Sequence, residues 1–323
     1  MSKLYGYNGN AISLDMLTNL VDVTDFGAKG DGTTDDASAI QSALDSVKNT
    51  GGIIYFPYGT YRITTAVLFY SNQTLLFADG TVLLRGSASL NNMMRNYNTS
   101  DITGYDGTHD VKIIGATFDG NASYTTISPS LLGFCHAKNI SIIGCKFKNA
   151  YGSWHDIEVN SSQYVLIENC EFDGSAKTGD SGENIQLDYA GSSTYYPWTC
   201  NMDNTVSARV EIKGCKFYGN TVSPAIGNHS GTASGNYVRI HDCFFDTNTV
   251  EDTSSRKRGT IALNAGGMID VYNNTFFNCT KCFYTGSNGN KTFHDNRVVG
   301  ATTVCEGSNI SQYNNLVDGT LSN

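Results

Sequence analysis

From residue 111 onward, apolar and polar positions alternate in short runs that keep returning in the same register. Val111 to Gly120 begins with alternating Val111, Lys112 and Ile113, bends at Gly115-Ala116, and resumes with Thr117, Phe118 and Asp119. The same phrase runs from Ile140 to Phe147, Val165 to Phe172, Val210 to Phe217, Val238 to Phe245 and Ile269 to Phe276. It then decays into Lys291 to Val298 and Ser311 to Val317. Alternation on both sides of a small Gly/Asn/Asp bend predicts pairs of short strands joined by tight turns. Eight copies exclude coincidence. The leading apolar residue and the later Phe hold their places, so copies stack like on like and each buries its apolar face only against its neighbours. The expected fold is all-β, a solenoid wound as a parallel β-helix.

A helical period precedes the repeats. Ile40, Ala43, Leu44 and Val47 fall at i, i+3, i+4 and i+7, which predicts an amphipathic helix from about Asp35 to Lys48. Thr34 or Asp35 is available as N-cap, and Gly51-Gly52 as the stop. A strand, a turn and a second strand follow between Ile53 and Ile63. The end of a solenoid exposes unpaired backbone, so the helix is expected to lie over it as a lid. Residues 1–20 then form an arm or linker and 21–323 the β-helix domain, with its cap at about 21–63.

Composition narrows the partners. Charged residues make up 16% of the chain and the formal net charge is −9, so no basic stripe exists for nucleic acid or an anionic membrane surface. Neither a membrane-length apolar run nor a secretion signal is visible. Of nine cysteines, Cys145, Cys170, Cys215 and Cys243 share one repeat position, preceded there by Ala116 and followed by Asn274, Asn296 and Asn315. Cys, Ala and Asn sharing a position indicate an inward stack of small side chains. A reduced set of thiols is expected, matching synthesis in a reducing cytoplasm. Cys279 and Cys282 have no matching His cluster, so no metal centre is expected.

Asp25-Phe-Gly-Ala-Lys-Gly-Asp-Gly-Thr-Thr-Asp-Asp36, then Ala39-Ile40, Gly51-Gly52 and Phe56-Pro-Tyr-Gly-Thr-Tyr61 resemble the opening signature of the pectate lyase superfamily. Polygalacturonases, alginate epimerases and lyases, and bacteriophage tailspike depolymerases share that opening. The resemblance implies a right-handed, single-stranded parallel β-helix and a polysaccharide as substrate. It also implies action outside the cell or on a virion, and for spike-like members a homotrimer. The paired Asp-Asp and Gly-His-Gly arrangement of polygalacturonases is absent, as is the Tyr-Gly-Phe-Asp-Pro-His run of the epimerases. Chemistry must therefore be sought in the residues themselves.

The repeat breaks once. Equivalent positions are 19 to 31 residues apart, except that Cys170 and Cys215 are separated by 45, which places an inserted loop at about 173–209. Long loops on a rigid scaffold carry binding. Alternation points Ile157 and Val159 inward and Asp156, Glu158 and Asn160 outward; likewise Ile185 and Leu187 inward, and Asn184, Gln186 and Asp188 outward. His229 and Asn264 extend this outward column over the next two rungs. The chain's two tryptophans, Trp154 and Trp198, flank it with Tyr189, either as platforms for a sugar ring or as anchors for the loop.

The leading expectation is a glycoside hydrolase in which Glu158 and Asp188 are the carboxyl pair and His229 orients or tunes one of them. Trp154, Asp156, Asn160, Gln186, Tyr189, Trp198, Arg258 and Asn264 would hold substrate. Direct opposition of the two acids suits a retaining enzyme and a diagonal suits an inverting one. Two alternatives stand beside it. One is β-elimination on a uronic-acid polymer, with the Arg256–Arg258 cluster supplying charge and His229 or Tyr189 the base. The other is a glycan-binding spike without turnover. No cofactor is required by any of these, although Asp156, Glu158 and Asp188 are the residues a Ca²⁺ would use.

Overall fold

The structure is a computed structural model that describes residues 19–322, apart from 91, 125–129, 154, 179–181, 192–199, 229–235, 248–258, 265, 287–288 and 319. Nine successive rungs each contribute one strand to each of three sheets, which count eleven, twelve and nine strands among the described residues. One rung reads Lys138–Ile143, Lys146–Lys148 and Ile157–Asn160, and the next begins at Gln163–Glu168. This is a right-handed parallel β-helix. Among the described residues no helix is long and apolar enough to cross a membrane.

The two-residue bend of the repeat has a stereochemical cause. Its first residue is left-handed on every rung, with φ of 62° at Gly144, 54° at Asn169, 62° at Gly214, 55° at Asp242 and 53° at Asn273. Gly, Asn and Asp are the residues that enter this region at least cost, which is why they alternate there. The second residue turns inward. Cys145, Cys170, Cys215 and Cys243 are buried free thiols whose Sγ atoms lie 3.5–3.7 Å from the Ile113, Ile142, Ile167 and Ile212 carbonyls of the preceding rungs. Asn274, Asn296 and Asn315 continue the ladder with Nδ2 donating to the Ile240, Val271 and Phe293 carbonyls at 2.9–3.0 Å. Cys and Asn interchange here because both are small and both donate one rung back.

These seven inward side chains tie each bend to the rung before it, and a ring stack fills the space beside them. Phe118, Phe147, Phe172, Phe217, Phe245 and Phe276 lie with centroids 4.7–5.0 Å apart and planes within 8° of parallel. All six are fully buried.

The cap helix spans Ala37–Ser46, two residues shorter at each end than its period predicts, with Ala37, Ile40, Ala43 and Leu44 buried. Its N-cap is Asp36 rather than Thr34 or Asp35, and the Asp36 carboxylate makes no capping bond. It accepts from the Lys29 and Gly30 amides at 2.6 and 3.1 Å instead, tying the preceding loop down. At the other end, Thr320–Ser322 folds back antiparallel on Asn315–Val317, the one antiparallel pairing among the described strands.

Asn296 Oδ1 accepts from the Asn274 backbone amide and from Asn274 Nδ2, at 2.9 and 3.1 Å. Asn296→Ala therefore orphans buried groups on two rungs and is expected to lower stability by about 1–3 kcal/mol in urea unfolding. Asn296→Cys, which keeps a donor toward Val271, is expected to lose less.

Candidate active site

The nine-stranded sheet carries the candidate chemistry. Its Ile157–Asn160 and Ile185–Asp188 strands pair in parallel with Ile157 facing Ile185, Glu158 facing Gln186, Val159 facing Leu187 and Asn160 facing Asp188. The four apolar side chains lie in the core, as alternation requires. The other four form a two-by-two patch on the opposite face, with the acids on one diagonal and the amides on the other.

Within each strand an amide holds the acid. Asn160 Nδ2 donates to Glu158 Oε1 at 2.9 Å, and Gln186 Nε2 donates to Asp188 Oδ2 at 2.9 Å. Ser130 Oγ donates to Glu158 Oε2 at 3.0 Å from the preceding strand. Glycine lies on either side of the Glu158–Gln186 pair, Gly133 facing Glu158 and Gly227 facing Gln186. A Cβ on Gly227 would stand 2.8 Å from Glu183 Cγ, so glycine is required for Glu183 to pack there.

Expected as an outward-facing column, these residues are instead closed off from solvent: Asp156, Glu158, Asn160, Gln186 and Asp188 are each no more than 2% exposed. Segments distant in sequence bring polar groups over this face. Lys177 Nζ lies 3.0 Å from Asp156 Oδ1, both fully buried, and Asn184 Nδ2 donates to Asp156 Oδ2 at 2.6 Å. Burial pushes the Asp156 carboxyl up, while the Lys177 ammonium pulls it the other way. His155 Nδ1 lies 3.1 Å from Glu183 Oε2, again out of solvent. Asp156 is thus committed to an internal ion pair rather than presented to a ligand.

Of the remaining expected residues, Tyr189 and Asn264 are described. Tyr189 follows the Ile185–Asp188 strand, half-buried, and its backbone bridges Val206. Asn264 is held among loops, its amide donating to Asn228 Oδ1 and its Oδ1 accepting from the Gly286 amide, both at 2.8 Å. Trp154, Trp198, His229 and Arg258 lie outside the described residues. Ser130, Lys177, Glu183 and Asn184 complete the patch's surroundings. Glu183 and Asn184 belong to the run through Asp188 that alternation reads as a strand, with Asn184 outward, and directly precede the observed strand, whereas nothing in the period marks Ser130 or Lys177.

The expectation of wholly reduced cysteines is corrected on this face. Cys135 and Cys200 form a disulfide across 65 residues. Cys135 does not occupy the inward repeat position. It faces Asn160 in the sheet, at an outward site where a bridge can reach the 200s. His136 reinforces the attachment, with its ring nitrogens 2.8 Å from the Gly104 and Asn201 carbonyls. Tyr105 Oη donates to the Val206 carbonyl at 2.8 Å. Nor is the 173–209 excursion one loop, since Ile185–Asp188 runs through it as an ordinary rung strand.

A family model described as rhamnogalacturonase A/epimerase, pectate lyase-like, matches residues 20–204, more than half of the chain. The chain belongs to this family. Among its relatives, the plasmin and fibronectin-binding protein A of Streptococcus pneumoniae is 30% identical over 243 residues, covering 66% of this chain and 33% of that protein. The preneck appendage protein of Bacillus phage PZA is 28% identical over 190 residues, covering 50% and 21%. The chain spans about a third or less of the length of these two relatives. A hyperthermoactive exopolygalacturonase from Thermotoga maritima shares the fold with a TM-score of 0.61 at 16% identity, over 92% of this chain and 78% of its own.

Removing one member of the buried Asp156–Lys177 pair leaves a charge without its partner. Lys177→Met is expected to cost about 3–5 kcal/mol in urea unfolding, and Lys177→Met combined with Asp156→Asn distinctly less.

Proposed function

We propose that this family member hydrolyses a polysaccharide with inversion at the anomeric carbon, using Glu158 and Asp188 as the carboxyl pair. The observation that carries the reading is the register. Glu158 faces Gln186 and Asp188 faces Asn160, so the acids stand on a diagonal. With strands about 4.8 Å apart and a rise of about 3.3 Å per residue, that diagonal is about 8 Å. An inverting enzyme needs about 6.5–9.5 Å to seat a water beside the sugar, whereas a retaining one needs about 5–5.5 Å.

Hydrogen bonds from Asn160 and Ser130 reach both oxygens of Glu158 and fix the carboxyl as an acceptor, an arrangement that suits a general base acting on water. Asp188 then protonates the leaving oxygen, positioned by Gln186. Because the patch is buried, these groups act where water does not screen them, and a glycan reaches them only when the cover over this face opens.

The relatives support the substrate class, since the matched family is named for rhamnogalacturonase and a solved neighbour for polygalacturonase. The phage appendage relative and the disulfide support action outside the cytoplasm, as part of a virion or in an extracellular setting. Burial of the acids also favours a second reading, a glycan-binding surface protein without turnover, and the adhesin-like name of the streptococcal relative stands on that side.

Incubation with a panel of neutral and acidic polysaccharides separates these readings. New reducing ends without an absorbing unsaturated product are expected, with inverted anomeric configuration in proton NMR of the first product. Glu158→Gln and Asp188→Asn are each expected to lower kcat by about 10²–10⁴-fold while glycan binding persists. An unsaturated product would replace hydrolysis by elimination. Binding with no cleavage of any bound glycan would leave the receptor reading.

A further inference from the structure

The eleven-stranded sheet, on a different side of the solenoid, carries a groove of about 540 Å³ that the carboxyl patch does not use. Its volume falls in the usual range of ligand sites, about 300–1,000 Å³. One wall is a column at the start of successive strands: Tyr164, Arg209 and Tyr237, with Met268 beyond. Tyr164 and Tyr237 are 50% and 52% exposed, and Met268 43%. The Arg209 guanidinium lies over both rings, 5.4 Å from the Tyr164 centroid and 5.3 Å from that of Tyr237.

Backbone conformation sets this column apart. Earlier in the same column Asn72, Asp110 and Asn139 have φ of 61°, 56° and 56°, and Tyr164, Arg209 and Tyr237 keep the same left-handed turn with φ of 56°, 53° and 61°. Asp and Asn are at home there, whereas Tyr and Arg are not. Three consecutive rungs therefore keep bulky, exposed side chains at a position where the fold alone favours Asn.

The floor beside the wall is the outward column Leu166, Glu211, Arg239 and Asp270. Its acids have near partners: Arg239 lies 3.0 Å and His241 Nε2 3.2 Å from Glu211, and His294 Nε2 lies 3.0 Å from Asp270. Among the described residues Arg209 contacts aromatic rings and no carboxylate, which leaves its guanidinium edge open to a ligand's acid group.

We infer that this groove is a second glycan-binding site, selective for an oligosaccharide that carries a carboxylate. The guanidinium, fixed between two rings, takes the carboxylate. The apolar surfaces of Tyr164, Tyr237 and Met268 take the C–H faces of the sugars, and the Glu211–Arg239–Asp270 row takes their hydroxyls. Rungs about 4.8 Å apart repeat at close to the length of one sugar unit, so a glycan lying along the solenoid axis meets one rung's wall and floor residues at each unit. The inference rests on this sheet alone and stands or falls separately from the carboxyl pair.

The test uses an array of neutral and uronate-bearing oligosaccharides, followed by calorimetry on the tightest uronate ligand and on its carboxyl-reduced form. Arg209→Asn is the informative variant, because Asn suits the left-handed backbone and removes the cation. Wild type is expected to bind uronate-bearing oligosaccharides, with affinity falling about tenfold or more in Arg209→Asn and by a similar factor for the carboxyl-reduced ligand. The thermal midpoint of Arg209→Asn should be unchanged or raised. The proposal is overturned if Arg209→Asn binds every uronate ligand as wild type does, or if carboxyl reduction has no effect. It is also overturned if sedimentation shows the groove closed by a second copy that Arg209→Asn releases.

Discussion

Parallel backbone ladders hold successive rungs about 4.8 Å apart, and each column of side chains must answer to that repeat. Aromatic rings answer it well: the six core phenylalanines stack at 4.7–5.0 Å, and outside the core His241, Tyr272, His294 and Tyr313 stack at 4.6–5.3 Å. Small polar groups answer it by donating one rung back, as thiols from Cys145 to Cys243 and as amides from Asn274 to Asn315. Charges answer it badly, because like charges directly opposite one another repel at close range. The carboxyl patch shows the resolution: Glu158 and Asp188 occupy adjacent rungs, yet each faces an amide. The spacing that suits a catalytic water is also the one that electrostatics permits on such a scaffold.

Burial changes what that patch costs and what it offers. A buried carboxylate loses its hydration and needs donors in return, and Asn160, Gln186, Ser130, Asn184 and Lys177 supply them around Glu158, Asp188 and Asp156. The donors are fixed by the sheet before any ligand arrives. Such preorganisation is what makes polar groups effective in a site shielded from water.

The fold was legible because it is repetitive. A Phe that returns in register six times, and a Gly, Asn or Asp that returns at the bend of all eight copies, each restate one local requirement, and the cap helix declares itself through Ile40, Ala43, Leu44 and Val47. Which face Glu158 and Asp188 occupy was also legible, since alternation needs only the neighbouring Ile157, Val159, Ile185 and Leu187. Register across rungs was not, because the intervals between equivalent positions vary, and the choice between direct and diagonal opposition turns on a shift of two residues. Burial was not legible either. What covers a sheet face comes from loops without a period, and Lys177 reaches Asp156 from 21 positions away. Cys135 and Cys200 were hidden for the same reason, lying outside the register that identified the other thiols.

The disulfide and the thiol ladder belong to one chain, and that imposes an order of events. Cys145 and Cys170 lie in sequence between the bridged Cys135 and Cys200, and both are sealed in the core of the finished solenoid. In an unwound chain they are nearer competitors for Cys135 than its true partner is. Winding the intervening rungs withdraws them from oxidant and leaves the outward pair to meet. Pairing fidelity then depends on the rungs coiling before oxidation overtakes them, so the core protects the bridge from misassembly before the bridge secures the surface above the core.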